Sequence, residues 1–305
     1  MDKGAFQQFL QRAKRGQLLH MRTLSLGHDT EVYLLQTIKE KYICTVYLEN
    51  RPLSFFSHLQ QVTHYIAQQG LPTSRFLYCD LLEERQAILW SYIPGRVKTT
   101  WMPSEFYQAG LSVGSLHKLC EDFVPSGGVV PMITENQLKW NELRSHIPAP
   151  FHFIEGELED IHQQWPCHLP YGLIHGDLWY TQFRFGKERV EGLIDFSLAR
   201  KDLFIYDISA LIKGIFYTPN TENAQENYQA FLTGYESIRQ LSAGELEAIP
   251  LMIQCRIIHT ILCLLHAHAR TECQKKAEEY LNLATLNVIK YQEAISRSVL
   301  LLDTL

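Results

Sequence analysis

Three side chains in the middle of this 305-residue chain could do chemistry together: Asp177, Gln182 and Asp195. Asp177 stands in His175-Gly176-Asp177-Leu178-Trp179-Tyr180-Thr181-Gln182, where Gln182 follows it by five residues. Asp195 comes thirteen residues later, in Ile194-Asp195-Phe196. A carboxylate can take a proton from an attacking hydroxyl, and carboxylate and amide oxygens are hard donors for a small divalent cation. Each aspartate alone also has a structural use, because Asp commonly caps a turn or a strand end. The spacing of the set is the informative feature.

Each aspartate sits just behind a short apolar run, Gly172-Leu173-Ile174 for the first and Val190-Glu191-Gly192-Leu193-Ile194 for the second. Two strand ends thus deliver two carboxylates. Upstream, Leu24 to Leu48 reads as a hairpin or meander, with Val32-Tyr33-Leu34-Leu35 and Tyr42 to Leu48 as its β-branched and aromatic runs. Phe55, Leu59, Val62, Tyr65 and Ile66 recur at helical spacing and stop before Gly70-Leu71-Pro72, which predicts a helix over 54–69. Arg75 to Tyr78 and Ala87 to Ile93 are strand-like, and Pro94-Gly95 marks a lobe boundary. Beyond it the pattern turns mainly helical: Phe106 to Leu119, Leu138 to His146, Glu157 to Gln164, and Asn227 to the end. Gly127 to Thr134 reads as a surface loop.

The composition, 46% hydrophobic and 20% charged, excludes disorder and fibrous repeats. With 28 Lys and Arg against 33 Asp and Glu, the net charge of −5 draws the chain toward neither nucleic acid nor an anionic membrane. Seven cysteines, odd in number and without a CxxC pair, read as reduced cytoplasmic thiols. The amino terminus has no uninterrupted apolar core, and the run from Ile257 to Ala269 is broken by His259, His266 and His268. Neither a signal peptide nor a membrane span is expected. His259 and His266 lie seven apart on one helical face, where metal binding and simple packing are both open.

The string around Asp177 is similar to the protein-kinase catalytic loop, HRDLxxxN, and Ile194-Asp195-Phe196 to the downstream DFG. That likeness implies Asp177 as the base, Asp195 and Gln182 as Mg²⁺ ligands, and transfer of the γ-phosphoryl group of ATP. Further blocks extend it: Gly70-Leu71-Pro72, Tyr92-Ile93-Pro94-Gly95, Gly114-Ser115-Leu116-His117 and Tyr206-Asp207-Ile208. With these the chain resembles the aminoglycoside phosphotransferase and choline kinase group over nearly its whole length. Within that group it looks most like the type II homoserine kinases, through Tyr42 to Glu49, Pro52-Leu53-Ser54-Phe55-Phe56, and Leu193-Ile194-Asp195-Phe196 with Ala199 and Asp202.

The resemblance implies an α+β, two-lobed protein-kinase-like fold. Residues 1–93 would form a small β-rich lobe with one main helix, and residues 94–305 a larger, mainly helical lobe. It further implies nucleotide contacts at Gly27, Thr30 and the backbone of Ser91 and Ile93, supporting roles for His175 and Asp207, and a substrate contact at Asp202. The expected partner is a small hydroxylated molecule, with homoserine foremost. A choline-like or aminoglycoside acceptor would need acidic or aromatic walls, for which Trp101, Trp179 and Tyr180 are available. An amino-acid acceptor would need a cation for its carboxylate, from Arg256 or Arg270, and an anion for its ammonium, from Asp202 or Glu31.

Departures from the family pattern keep a third, catalytically silent reading open. Gln182 stands where Asn is usual and carries one more methylene. Val32 falls where the phosphate loop usually has Asn, and Gly27 is the only glycine in Gly27 to Tyr33. Thr45 holds the place of the protein-kinase strand lysine, a trait shared with the homoserine-kinase pattern. Lys41 or Arg51 could supply the missing cation.

Overall fold

The computed structural model describes residues 2–26, 29–125, 129–187, 189–217, 223–271 and 273–302. The chain opens with helix α1 (Lys3–Arg12), followed by β1 (Leu18–Leu26), β2 (Thr30–Thr37), β3 (Lys41–Tyr47), helix α2 (Leu53–Gln68), β4 (Phe76–Leu82) and β5 (Arg85–Ser91). The five strands pair antiparallel in the order β1-β2-β3-β5-β4. Alternation along them sends Tyr33, Leu35, Cys44, Val46, Ala87 and Leu89 to one face, where they share a core with Phe6, Phe9 and Leu10 of α1. The helix α1 is an addition to the single main helix expected of this lobe. On the other face Phe56 and Leu59 of α2 cover Tyr47 and Ile88. The chain leaves α2 in a Schellman turn, with Gly70 at φ +80°, its N–H on Ala67 O and the Leu71 N–H on Ile66 O.

The remaining elements are α3 (Pro103–Leu119), α4 (Met132–Leu143), α5 (Ile154–Gln163), β6 (Tyr171–Ile174), β7 (Phe183–Phe185), β8 (Val190–Leu193), β9 (Arg200–Leu203), α6 (Phe204–Tyr217), α7 (Ala224–Glu236), α8 (Ala243–Glu247), α9 (Ile249–Arg270) and α10 (Gln274–Leu302). The surface loop expected to run to Thr134 is shorter, since Met132–Thr134 already belong to α4. The start of α4 has no cap from its neighbour Pro131 and takes one from elsewhere in the fold.

By its contacts the chain forms two compact units. One holds the chain up to Thr100 together with Tyr180–Ala199; the other holds Trp101–Val124, Val129–Trp179 and everything from Arg200 onward. The first unit thus extends past the expected division at residue 93 and recruits the hairpin β7-β8. Hydrogen bonds cause this: Arg96 and Phe185 exchange both backbone bonds at 2.9 Å, and the Leu193 N–H donates to Pro72 O at 3.1 Å.

Within the second unit, α3 and α7 pack at backbone contact. A Cβ on Gly110 would fall 2.2 Å from the Phe231 carbonyl oxygen, and one on Gly234 2.1 Å from that of Tyr107. Only residues without a Cβ allow this approach. The helix α9 is long and apolar enough to cross a membrane by length and composition alone. In this fold Ile253, Ile257, Ile258, Ile261 and Leu262 are buried, and the helix packs against α4, α6 and α10.

Candidate active site

In the second unit the loop after β6 carries Asp177, and one buried carboxylate shapes that loop. Asp207, in the first turn of α6, accepts the backbone N–H of His175 through Oδ2 at 2.6 Å and that of Gly176 through Oδ1 at 3.0 Å. His117 of α3 approaches the same Oδ2 at 3.3 Å and Tyr235 Oη at 2.9 Å. A carboxylate only accepts, so His117 Nε2 carries the proton and Nδ1 receives the Tyr235 hydroxyl. Burial keeps His117 neutral against the pull of Asp207. Burial also opposes the charge on Asp207, but the His117 bond and the backbone amides outweigh it and hold the carboxylate ionised. Arg239 extends the chain, donating to Tyr235 Oη at 3.1 Å and pairing with the buried Glu245 at 2.9 Å. The Asp177 side chain itself is about half-exposed, at 51%, and the Arg256 guanidinium lies 3.6 Å from its Oδ1.

The first unit carries the amide and the second aspartate. Gln182, buried in a 3₁₀ turn over Tyr180–Gln182, accepts the Thr181 hydroxyl on its Oε1, and its carbonyl accepts the Ile194 N–H at 3.0 Å. Asp195 is exposed at φ +66°, in the left-handed region that L-residues other than Asn and Asp rarely enter. The Ser197 hydroxyl fixes its Oδ1 at 2.7 Å. An exposed carboxylate and an amide oxygen with a lone pair to spare fit a hard cation such as Mg²⁺. Among the described residues no cluster of three or more His, Cys, Asp and Glu side chains offers a rival metal site.

Val32, Leu34, Ile43 and Thr45 are half-buried on the sheet face opposite α1, and Val32 pairs directly with Thr45. The phosphate-loop departure and the position of the strand lysine therefore form one cross-strand pair. The Thr45 hydroxyl accepts the Trp90 Nε1–H at 3.2 Å. Thr30 opens β2 opposite Tyr47, whereas Ser91 closes β5 opposite Tyr42, so they mark opposite ends of β3. The Ser91 hydroxyl holds the Arg75 N–H at 2.8 Å, and the Ile93 backbone makes no hydrogen bond among the described residues. Gly27 lies outside the described residues. Of the two substitute cations, Arg51 pairs with Asp29 at 3.2 Å beside the start of β2, while Lys41 lies over the Tyr92 ring at the other end of β3.

Asp202 is corrected by the structure. It is 5% exposed, and its carboxylate accepts the backbone N–H of Met132 at 2.7 Å and of Leu203 at 2.9 Å. It caps α4 and is unavailable to a substrate. Arg200, also buried, pairs with Glu135 in the first turn of that helix. Trp101 is a core residue packed on Phe106. Glu31 is engaged by the Tyr33 hydroxyl and Arg85. Arg270 lies exposed at the end of α9. His259 is buried against Asn136, 2.7 Å from its Oδ1, and His266 faces Glu142, so the pair serves packing and not a metal. Sequence reasoning missed Lys213 and the residues behind His117. The signal for Lys213 was a lone charge within the apolar run Phe204–Tyr217.

Comparisons with known proteins bear on the family and the fold. The sequence model of the phosphotransferase enzyme family matches residues 20–241. The homoserine kinases of Sinorhizobium fredii and Rhizobium meliloti are each 27% identical over 307 residues, covering 95% of this chain and 92% of theirs. Among solved structures, the amicoumacin kinase hAmiN in complex with AMP-PNP and Ca²⁺ superposes with a TM-score of 0.72 at 19% identity, over 94% of this chain and 95% of that one. The choline kinase LicA from Streptococcus pneumoniae gives 0.69 at 16% identity, over 93% and 98%. The fold is therefore protein-kinase-like, a β-rich amino-terminal part followed by a helical one. With its sheet, its catalytic-type loop and its following aspartate all inside the matched span, the chain belongs to the phosphotransferase enzyme family.

Proposed function

We propose that this protein is an ATP-dependent kinase of a small amino alcohol, with homoserine as the acceptor. The observation that carries the reading is the loop held by Asp207, which leaves Asp177 as a half-exposed carboxylate with its backbone support already paired. Asp177 orients the acceptor hydroxyl and takes its proton as the oxygen bonds to the γ-phosphorus and the bond to the bridging oxygen of ADP breaks. Asp195 and Gln182 hold the divalent cation, which when bound neutralises charge on the phosphates. The nucleotide lies along β3, with the adenine at the free backbone of Ile93 and the phosphates toward Thr30 and Arg51. The five steps from Tyr42 to Tyr47 give about 17 Å at the rise of a strand, the scale of an extended nucleoside triphosphate. Seven free thiols, four of them at buried or half-buried strand and helix positions, suit a reducing cytoplasm.

A choline-type acceptor is the second reading, and the surroundings of Trp179 favour it less. The face of its ring is already approached by the Lys213 ammonium at 5.9 Å. The test is ADP release from Mg²⁺-ATP with homoserine, choline, ethanolamine or an aminoglycoside. We expect homoserine to stimulate release, and Asp177→Ala to reduce it by about 10²–10⁴-fold, the usual contribution of a general base. Stimulation by choline alone overturns the homoserine assignment. If nothing stimulates release and Mg²⁺-ATP does not raise the melting temperature, the chain is a silent member of the family.

A further inference from the structure

Two cationic groups face the Asp177 loop, Arg256 at 3.6 Å from the Asp177 carboxylate and Lys213 over the ring of Trp179 two residues on. Lys213, on α6, is partly buried, and no hydrogen bond or ion pair engages its ammonium among the described residues. Its ammonium lies over the Trp179 ring at 5.9 Å, with Asp177, Arg256 and Lys290 within electrostatic range. Arg256, on α9, is stacked on the Tyr206 ring at 4.7 Å, with Nη2 3.6 Å from Asp177 Oδ1 and Nη1 donating to Gly176 O at 3.4 Å. Its Nε–H is buried and has no acceptor. A single half-exposed carboxylate does not balance two desolvated cations, and leaving such donors unmet is costly. Burial first, then Arg256 and Lys290, push Lys213 down to about 7, with Asp177 pulling the other way. The fold keeps this unfavourable arrangement next to its base.

We propose that Lys213 and Arg256 select the acceptor by a carboxylate, so that the enzyme phosphorylates hydroxy acids or amino hydroxy acids and discriminates against alcohols whose only charge is positive. The inference rests on the kinase reading above and adds to it the part of the acceptor that is recognised. An incoming carboxylate would neutralise the ammonium and pair with Nη2 of the guanidinium, which faces Asp177, and charge-assisted bonds of this kind are among the strongest available to a buried site. An ammonium in the same place would meet two like charges.

The test compares L-homoserine with 3-aminopropan-1-ol, the same molecule without its carboxylate. Native enzyme should favour homoserine in kcat/KM by at least about a hundredfold. Lys213→Met should raise KM for homoserine about ten- to hundredfold with a smaller change in kcat, and Lys213→Arg should restore much of it. Calorimetric binding of homoserine should weaken in parallel in Lys213→Met. A lysine that merely supports the fold would lower the turnover of both acceptors together, and that result overturns the inference. So does parity of the two acceptors in native enzyme, which leaves the kinase reading intact. If neither acceptor is turned over, the kinase reading for these acceptors fails, and unchanged homoserine binding in Lys213→Met then separately removes the carboxylate site.

Discussion

Asp195 combines the carboxylate proposed to hold the cation with an unfavourable backbone, and the two can be separated. Asp195→Gly relieves the positive φ and should stabilise the protein by up to about 1 kcal/mol while abolishing turnover. Chemical denaturation beside an ADP assay reads both effects. Lys213 behaves in the same sense. Its folded value of about 7 lies below the ordinary lysine value of 10.5, so its charge costs stability increasingly as pH falls from 10.5 to 7 and fully below that. Lys213→Met should therefore melt higher than native protein at pH 7, with the gap closing toward pH 10.5. For His259, burial above all holds the folded value down to about 3, against 6.5 for an ordinary histidine. The unfolded chain takes up this proton first, so stability declines as pH drops from 6.5 toward 3. Replacement of His259 by Gln should flatten that decline by up to one proton in a plot of unfolding free energy against pH. The types of Asp177, Gln182 and Asp195 were legible in the sequence because they recur at fixed spacing. Asp202 misled, since a buried carboxylate that caps a helix seventy residues away looks the same in one dimension as one that meets a ligand.

At the scale of elements, the loop that carries Asp177 depends on three helices that brace it from behind through Asp207, His117 and Tyr235. His117 can reach Asp207 and Tyr235 only because α3 and α7 lie in backbone contact at Gly110 and Gly234. Gly234→Ala should force the two helices apart and cost about 3 kcal/mol in urea unfolding, the upper range for overpacking. Strands and the helix α2 were readable from alternation and from its Gly-Leu-Pro stop. The helix α6 was not, because nearly all of Phe204–Tyr217 is apolar and buried, which erases the periodicity a half-buried helix displays. The helix α1 escaped for the opposite reason, with Phe6, Phe9 and Leu10 too few among charged neighbours to signal a face. The start of α4 depends on Asp202 and Arg200, far along the chain, and local sequence carries no trace of them.

For the whole molecule, order along the chain and membership of a contact unit do not coincide. Residues 180–199 complete the unit built by the amino-terminal sheet, through Arg96 with Phe185, Pro72 with Leu193, and His58 Nε2–H on Ala199 O at 2.7 Å. The turn at Pro94-Gly95 was visible in the sequence, but the extension of the contact unit to Thr100 and the return of the hairpin β7-β8 were not, because such pairing leaves no local mark. This interleaving has a genetic consequence. Recombination between relatives at a single crossover near residue 100 would join an amino-terminal sheet from one parent to a hairpin from the other and divide all three of those bonds between lineages. Chimeras that exchange residues 1–100 and 180–199 as one inherited block keep every one of them intact.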